Sequence, residues 1–321
     1  MSASRFRTAF AALGVLALVA VTPACDNSVD QAIPDPEARP DGWDLIWSDD
    51  FDGDALDLSK WEYQIGDGCA EGICGWGNGE FQNYTDENVA VSGGTLSITA
   101  RQTIADEDTS YTSSRIRTLG QGDWTYGRFE VRAKLPTGQG LWPAIWLLFS
   151  EPTYGNWPAS GEIDIMEAIG SAPGEVFGTL HYGGDVSGRV FTGEPFNLFS
   201  GTFADDFFVF TTEWVEGIED DPDTEVDESV PAEIRWYINN VLYQTQTSES
   251  WFSDAAEEGN TDAPFDHPFH MILNVAVGGE LPGAPSPDTF FPQTMEVDYV
   301  RVYEWTGDGQ PPTSGIEGDG A

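Results

Sequence analysis

The chain is poor in basic residues and in histidine. Its 321 residues include 13 lysines and arginines, of which only Lys60 and Lys134 are lysines, against 55 aspartates and glutamates, and the formal net charge is -42. Such a charge repels phosphate backbones and anionic lipid surfaces, which excludes nucleic acid as a partner. Three histidines are too few for a histidine-rich metal centre. The sequence also lacks a P-loop, a dinucleotide-binding glycine motif, a metalloprotease histidine pair and an internal repeat.

Long helical periodicity is absent too. No segment repeats its apolar residues every 3.6 positions over several turns, and 36 glycines and 20 prolines interrupt the chain. Instead, apolar and polar residues alternate over short segments, as in Phe129, Val131 and Ala133 between charged neighbours. Strands are predicted at 43–51, 89–101, 113–118, 126–134, 176–182, 207–215, 233–238, 271–277 and 295–305. Short strands at close intervals with Gly/Pro turns predict an all-β sandwich with one large core.

The two ends of the chain differ from this folded region. Residues 1–24 have the features of a secretory signal, with two arginines before an apolar stretch too short to span a bilayer. Residues 22–25 also resemble a bacterial lipobox, so lipidation of Cys25 would make the acidic, Pro-containing residues 25–42 a membrane tether. Plain cleavage and secretion is the alternative. We expect a secreted or cell-envelope-anchored protein with a folded domain over 43–306, a solvated acidic loop over 216–233 and a disordered tail over 307–321.

The other two cysteines are Cys69 and Cys74. An even pair in an exported chain predicts a disulfide that closes a small loop. Zinc is the alternative, although a tetrahedral site needs four ligands and no histidine lies nearby in sequence.

Three carboxylates lie within six residues, in the segment Glu-Ile-Asp-Ile-Met-Glu at 162–167. Strand alternation places Glu162 and Asp164 on one face, and a β-bulge near Ile165–Met166 would bring Glu167 to that face as well. Repulsion between such close acids raises the pKa of at least one of them. An ionised carboxylate beside a protonated one is what glycoside hydrolysis requires, so this chemistry is predicted.

An inert acidic edge strand is the alternative interpretation of the three acids. Against it, the aromatic and aliphatic segment 141–148 precedes the motif and Trp157 leads into it. The Gly-rich segment 75–84 mixes aromatic rings with amide and acid side chains, which suits sugar recognition, although a buried aromatic turn would have the same composition.

Together these segments resemble glycoside hydrolase family 16, and the spacing of the acids is that of its laminarinase-like endo-β-1,3-glucanases. The resemblance runs from about residue 43 to 305 and rests on the segments 49–53, 75–84, 114–116, 141–148, 157–167, 178–182, 274–279 and 297–303. It implies a β-jelly-roll sandwich of two antiparallel sheets, with the substrate cleft on the concave face. It also implies retaining double-displacement chemistry without a cofactor.

By motif position, the resemblance makes Glu162 the nucleophile and Glu167 the general acid/base, with Asp164 tuning their protonation. It also implies a set of residues that bind or wall the sugar, namely Trp142, Trp146, Trp157, Asn78, Glu80, Arg115 and His181. Core packing is the alternative role for Trp142, and a structural hydrogen bond is the alternative for His181.

Two other family features concern the ends of the cleft and a metal. Where many laminarinases have an aromatic residue after Val-Gly-Gly-x, this chain has Glu280-Leu281-Pro282, so a sugar platform is missing there. The family often carries a structural Ca²⁺, and the matching positions are the carboxylate of Asp298, the carbonyl of Gly94 and the region of Asp50. Oxygen ligands suit that ion.

The sequence thus predicts a monomeric enzyme, an endo-hydrolase of β-1,3-glucan such as laminarin. The alternatives are a mixed-linkage β-glucanase or galactan hydrolase of the same fold, a non-catalytic glucan-binding protein and a structural protein of the cell envelope. The presence of both Glu162 and Glu167 favours the enzyme. The negative charge argues against sulfated galactans as substrates.

The acid-rich, lysine-poor composition resembles that of proteins from saline habitats, and it generates a first prediction. Because the acidic groups repel one another and salt screens this repulsion, we expect the melting temperature to rise between dilute buffer and molar NaCl. Calorimetric scans at both ionic strengths measure the shift. An unchanged melting temperature would contradict the prediction.

Overall fold

The computed structural model describes residues 41–106, 108–219, 229–313 and 316–317. The predicted signal segment, Cys25 and nearly all of the predicted tether lie outside these ranges, as do residues 220–228 of the acidic loop and the last four residues of the tail. Among the described residues, no helix is long and apolar enough to cross a membrane.

Strands account for most of the regular structure. In the part of the chain that the structure describes, three short 3-10 helices lie at Cys74–Gly77, Asp86–Asn88 and Val186–Gly188. The strands are β1 Trp43–Asp49, β2 Glu62–Tyr63, β3 Gln82–Tyr84, β4 Val89–Ser92, β5 Thr95–Ala105, β6 Asp108–Ser113, β7 Arg115–Arg117, β8 Asp123–Trp124, β9 Gly127–Lys134, β10 Leu141–Phe149, β11 Glu162–Glu167, β12 Glu175–Gly183, β13 Arg189–Asn197, β14 Phe208–Val215, β15 Glu233–Ile238, β16 Val241–Thr247, β17 Phe269–Val277, β18 Gln293–Trp305 and β19 Ile316–Glu317.

The strands form two sheets, as the predicted sandwich requires. Sheet A has the order β19-β16-β15-β14-β9-β18-β5-β6-β3, with β1 added on β18 and β4 on β5. Sheet B has the order β13-β12-β11-β10-β17-β7-β2, with β8 added on β17. Neighbouring strands are antiparallel except for β3 with β6 and β16 with β19. Sequence-distant strands therefore become neighbours, and the jelly-roll prediction is confirmed.

The core lies between the facing sides of the two sheets. In sheet B, Leu180, Ile163, Leu147 and Met271 are successive cross-strand partners and all are fully buried. In sheet A, the predicted core residues of β9 are buried as expected. Since side chains alternate along a strand, the same alternation that packs this core fixes which residues of sheet B point to its other face.

Strand β13 was not predicted from the sequence, because its composition is unusual for a strand. It contains Gly193, Glu194 and Pro195, yet it pairs with β12 along its whole length. The strand lies at the edge of sheet B, where a proline that lacks an N–H costs no ladder hydrogen bond. Strand β16 was not predicted either.

Residues 307–313, in the segment for which a disordered tail is predicted, are hydrogen-bonded to the folded domain. Trp305 Nε1 donates to the carbonyl of Gly309 at 2.9 Å, and Arg235 Nη1 donates to that of Pro311 at 3.0 Å. Gln310 Nε2 donates to the carbonyls of Glu216 and Pro231. These bonds depend on backbone acceptors and are invisible in the composition of the segment.

The side of sheet A that faces away from the core carries a buried ionic network. Arg128 Nη1 lies 2.6 Å from Glu213 Oε1, and Arg128 Nε donates to Glu130 Oε1 at 2.7 Å. The other carboxylate oxygen of Glu213 accepts the Tyr237 hydroxyl at 2.7 Å and faces Arg235 at 3.5 Å. Sequence alternation placed Arg128 and Glu130 on this side of β9, but their burial comes from the surrounding strands and tail.

Glu213→Ala should therefore destabilise the fold strongly, because it removes the shared acceptor and leaves guanidinium charge buried. We expect the free energy of unfolding to fall by about 3–5 kcal/mol, as when one partner of a buried ion pair is removed. Glu304→Ala, at an exposed position of β18, is the matched control and should change it by less than about 0.5 kcal/mol. Equal denaturation midpoints for the two variants would contradict this account.

Candidate active site

The three carboxylates of β11 lie on the face of sheet B that points away from the core. Glu162 is paired with His181 of β12, and Asp164 is paired with Thr179. Paired residues of antiparallel strands point to the same side, so His181 faces the cleft beside Glu162. The register of β11 with β12 shifts between Asp164 and Glu167, so that Glu167 becomes the partner of Phe177.

This shift is the predicted β-bulge. On the other side of β11, Ile145 pairs with Met166 and Trp146 pairs with Asp164, which leaves Ile165 as the extra residue. Ile165 is 1% exposed, so the bulge is packed into the protein interior. A bulge reverses the alternation by one position, and it thereby returns Glu167 to the face of Glu162 and Asp164.

A tryptophan from the opposite sheet fixes this bulged strand. Trp236 of β15 is fully buried, and its Nε1 donates to the backbone carbonyl of Asp164 at 2.8 Å. A side chain at position 178 would collide with the same indole, since a Cβ built there lies 2.6 Å from Trp236 Nε1. Gly178 therefore makes room for the indole. No pattern in the sequence indicated this contact between the sheets.

Each of the two glutamates accepts a hydrogen bond from an indole. Trp157 Nε1 donates to Glu162 Oε2 and Trp142 Nε1 donates to Glu167 Oε1, both at 3.0 Å. Both tryptophans are partly exposed, so the alternative of core packing for Trp142 is wrong. These hydrogen bonds orient the two carboxylates.

His181 lies beside Asp164 and Glu162. Its Nε2 is 3.3 Å from Asp164 Oδ2 and 3.6 Å from Glu162 Oε1. Within the described ranges, Glu162, Asp164 and His181 form the one group of acid and histidine side chains whose ligand atoms lie close enough together to hold a metal ion. Because these residues lie in the row of carboxylates, we interpret the group as one that determines which carboxyl group holds a proton.

Burial raises the pKa of all three acids, and repulsion from neighbouring carboxylates adds to it for the two glutamates. Burial is the largest cause for Glu162 and Glu167, Asp164 adds to it, and the pKa of each glutamate rises to about 8. Burial also raises the pKa of Asp164 well above its usual value. His181 favours the charged form of both glutamates, but Arg115 contributes to Glu162 only. The hydrogen bond from Trp142 favours the charged form of Glu167, so each glutamate has two such groups and the pKa values do not rank them.

The predicted sugar-binding residues Asn78 and Glu80 lie in a connected polar network. Glu80 accepts hydrogen bonds from Asn78 Nδ2 at 3.0 Å, from Gln82 Nε2 at 2.6 Å and from the Tyr84 hydroxyl at 3.2 Å. Asn274 Nδ2 in turn donates to the Tyr84 hydroxyl at 3.2 Å. The network holds Glu80 rigidly, and Gln82, Tyr84 and Asn274 are members that the sequence analysis did not single out.

Trp146 connects this network to Arg115. Its Nε1 donates to Asn274 Oδ1 at 2.8 Å, and the Arg115 guanidinium lies 4.7 Å from its ring. The other side of the guanidinium lies 4.5 Å from the ring of Trp76, and Arg115 Nε donates to Gln64 Oε1 at 2.6 Å. The seven predicted sugar-binding residues therefore divide between the two sides of the carboxylate row. Trp76, which the sequence analysis included only as part of the segment 75–84, helps to position Arg115.

The loop before Trp76 is closed by a disulfide between Cys69 and Cys74. This confirms the predicted pairing and removes the zinc alternative. Trp76 has a φ of 53°, a left-handed conformation that an ordinary residue adopts only when its surroundings enforce it. The loop closed by the disulfide directly precedes Trp76 and restricts the backbone there. The loop thereby supports the indole ring that packs on Arg115.

The proposed calcium ligands have other partners. Asp298 is bonded to Arg132 Nη1, and Asp50 Oδ1 accepts from Arg301 Nη2 at 2.6 Å. Gly94 lies next to Asp52. Both predicted carboxylate ligands thus bind guanidinium groups, and calcium at this place stays a prediction that these contacts do not support.

The geometry of the site agrees with comparisons to known proteins. The family model of Glycosyl hydrolases family 16 matches residues 78–301. The Beta-glucanase of Rhodothermus marinus is 42% identical over 270 residues, which cover 82% of this chain and 86% of that protein. The Glucan endo-1,3-beta-glucosidase A1 of Niallia circulans is 41% identical over 275 residues, or 82% of this chain, and the chain spans 38% of that longer relative.

Solved structures show the same similarity. The laminarinase from Rhodothermus marinus is 41% identical, with a TM-score of 0.67 over 83% of this chain and 98% of that one. The catalytic domain of an endo-1,3-beta-glucanase from Thermotoga petrophila is 40% identical, with a TM-score of 0.68 over 83% of this chain and 99% of that one. From the family match, these identities and the bulged row of acids, the chain belongs to glycosyl hydrolase family 16.

Proposed function

We propose that this protein hydrolyses internal bonds of β-1,3-glucan with retention of configuration, with Glu162 as nucleophile and Glu167 as general acid/base. The observation that carries the proposal is the bulge at Ile165, which places the two glutamates on one face with Asp164 between them. The substrate is inferred from relatives named as endo-1,3-beta-glucosidases and laminarinases.

In the first step, the Glu162 carboxylate attacks the anomeric carbon, and the bond from that carbon to the glycosidic oxygen breaks. Glu167 transfers its proton to the departing oxygen, so the released chain leaves as an alcohol and Glu167 becomes a carboxylate. The raised pKa of Glu167 keeps that proton available near neutral pH. The product of this step is a glycosyl ester on Glu162.

In the second step, a water molecule attacks the same carbon. Esterified Glu162 carries no charge, so the repulsion between Glu162 and Glu167 disappears and Glu167 can accept a proton from the water. The ester bond breaks, Glu162 is released as a carboxylate, and Glu167 is protonated again. Two inversions give net retention.

The polar network around Glu80 and the rings of Trp142 and Trp146 supply the binding surface next to this centre. Apolar ring faces suit the C–H faces of glucose, while fixed amides and carboxylates suit its hydroxyls. Among the described residues named on this side of the cleft, Arg115 is the one base and it is buried, which fits a neutral polysaccharide better than a sulfated one.

The test of function is release of reducing sugar from laminarin, mixed-linkage β-glucan and agarose, in high salt. We expect activity on laminarin, and Glu162→Gln should reduce it by more than about a thousandfold because the amide cannot form the glycosyl ester. Glu296→Gln, which changes an acid of sheet A paired with Lys134, is the matched control and should keep wild-type activity.

Wild-type activity on another glycan alone would contradict the assigned substrate but keep the mechanism. Full activity of Glu162→Gln would contradict the mechanism. Binding of laminarin without cleavage would indicate a glucan-binding protein.

The raised pKa of Glu162 also predicts a pH-dependent change in stability. Its folded-state pKa is about 8 and its ordinary value is about 4.5, so between these values the folded state binds more protons than the unfolded chain. Stability is therefore lost as pH rises through this window. Glu162→Gln, which cannot ionise, should gain roughly 2–4 kcal/mol over the wild type at pH 8 and little at pH 4.

Denaturant unfolding across this pH range measures the difference, again with Glu296→Gln as control. A gain that does not change with pH would show that the substitution acts through packing and would contradict the electrostatic explanation.

A further inference from the structure

Two of the exposed side chains of strand β13 lie close to the carboxylate row, and the proposed mechanism does not use them. Arg189 and Phe191 are exposed, and Phe191 is 61% accessible to solvent. The intervening Val190 packs against the core, so alternation puts Arg189 and Phe191 on the opposite face of sheet B. That is the face of the carboxylate row.

The pairing register of β11, β12 and β13 places Phe191 in line with Glu162, the proposed nucleophile. Phe191 is the cross-strand partner of His181, and His181 is the partner of Glu162. Neighbouring strands are about 4.8 Å apart, so the backbones of Phe191 and Glu162 are separated by roughly 10 Å across the cleft. A few linked sugar residues span such a distance.

Aromatic rings continue along this side of the cleft without a gap. The Trp157 ring lies 5.8 Å from that of His181, and the His181 ring lies 5.9 Å from that of Phe191. Trp157 is bonded to Glu162, so this row of rings begins at the nucleophile and ends at the edge of the sheet.

Arg189 closes the end of the row. Its guanidinium lies 5.5 Å from the centres of both the Trp157 and Phe191 rings. Within the described ranges no salt bridge involves Arg189, although acids far outnumber bases in this chain. A guanidinium held against aromatic faces presents its N–H donors at the edge of the rings, where a sugar stacked on Phe191 would have its hydroxyls.

We propose that Phe191 and Arg189 form a sugar-binding subsite on the β13 side of the carboxylates. Phe191 stacks on a glucose residue beyond the one at the cleavage point, and Arg189 donates to its hydroxyls. This subsite rests on the proposed function, because it takes a further residue of the same glucan. It extends the cleft on the side opposite to the Glu80 network.

The test measures how affinity and rate depend on chain length. Binding of β-1,3-linked glucose oligomers from two to seven residues is measured by calorimetry in Glu162→Gln, which does not consume them. Phe191→Ala added to this background should weaken binding of the longer oligomers by about five- to tenfold and leave the shortest unchanged. Arg189→Gln should have a smaller effect on the same oligomers.

Steady-state cleavage by the active enzyme gives the second readout. Phe191→Ala should lower kcat/KM for the long oligomers, leave the rate on the shortest cleavable one unchanged and shift the distribution of products. Phe199→Ala is the control, since it removes an even more accessible phenylalanine ring that lies past the end of β13.

An equal loss at every chain length would overturn the subsite, because it would show that Phe191 acts through His181 or through folding. Binding and rates within twofold of the Phe199→Ala control would overturn it as well. Failure of the wild-type enzyme to cleave any glucose oligomer would contradict the proposed function, and the affinity series would still decide whether the subsite exists.

Discussion

The structure depends on the burial of three carboxyl groups in a row on one strand. Removing charged groups from water is unfavourable, and the raised pKa values of Glu162, Asp164 and Glu167 express this cost. Two indole N–H groups and one histidine offset only part of it, since Asp164 Oδ2 makes no hydrogen bond although His181 Nε2 lies 3.3 Å away. The same unfavourable burial is useful in catalysis, because it keeps a proton on a glutamate at a pH where free carboxylic acids have lost theirs.

Packing in the rest of the sandwich stabilises the row of buried acids. The core face of β11 is fully buried against sheet A, and the bulge at Ile165 is held by that packing and by the bond from Trp236 to the Asp164 carbonyl. The strands on both sides of β11 are in strict register beyond the bulge, so each carries its cleft residues to a fixed place in the row. Packing energy from the apolar core thus offsets the strain of the acidic row.

Much of this could be predicted from the sequence, and the limits have physical causes. Alternation and the spacing of the acids predicted the bulge, because a strand face is a local property. The pairing of Cys69 with Cys74 followed from their number and context. Contacts between distant segments were not predictable, as for Trp236 under Asp164 and Trp76 over Arg115, because periodicity carries no information about which strands meet. Strand β13 was not predicted because its proline argues against a strand in the sequence, whereas an edge strand tolerates a proline.

The central claim is that Glu162 and Glu167 act as nucleophile and acid/base on one face of a bulged strand. The most direct test is the anomeric configuration of the first product, followed by proton NMR during rapid hydrolysis of laminarin before mutarotation. The account predicts that the β-anomer appears first and the α-anomer only later. Initial formation of the α-anomer would show inversion, which needs a water molecule between the two carboxylates, and would contradict the assigned roles.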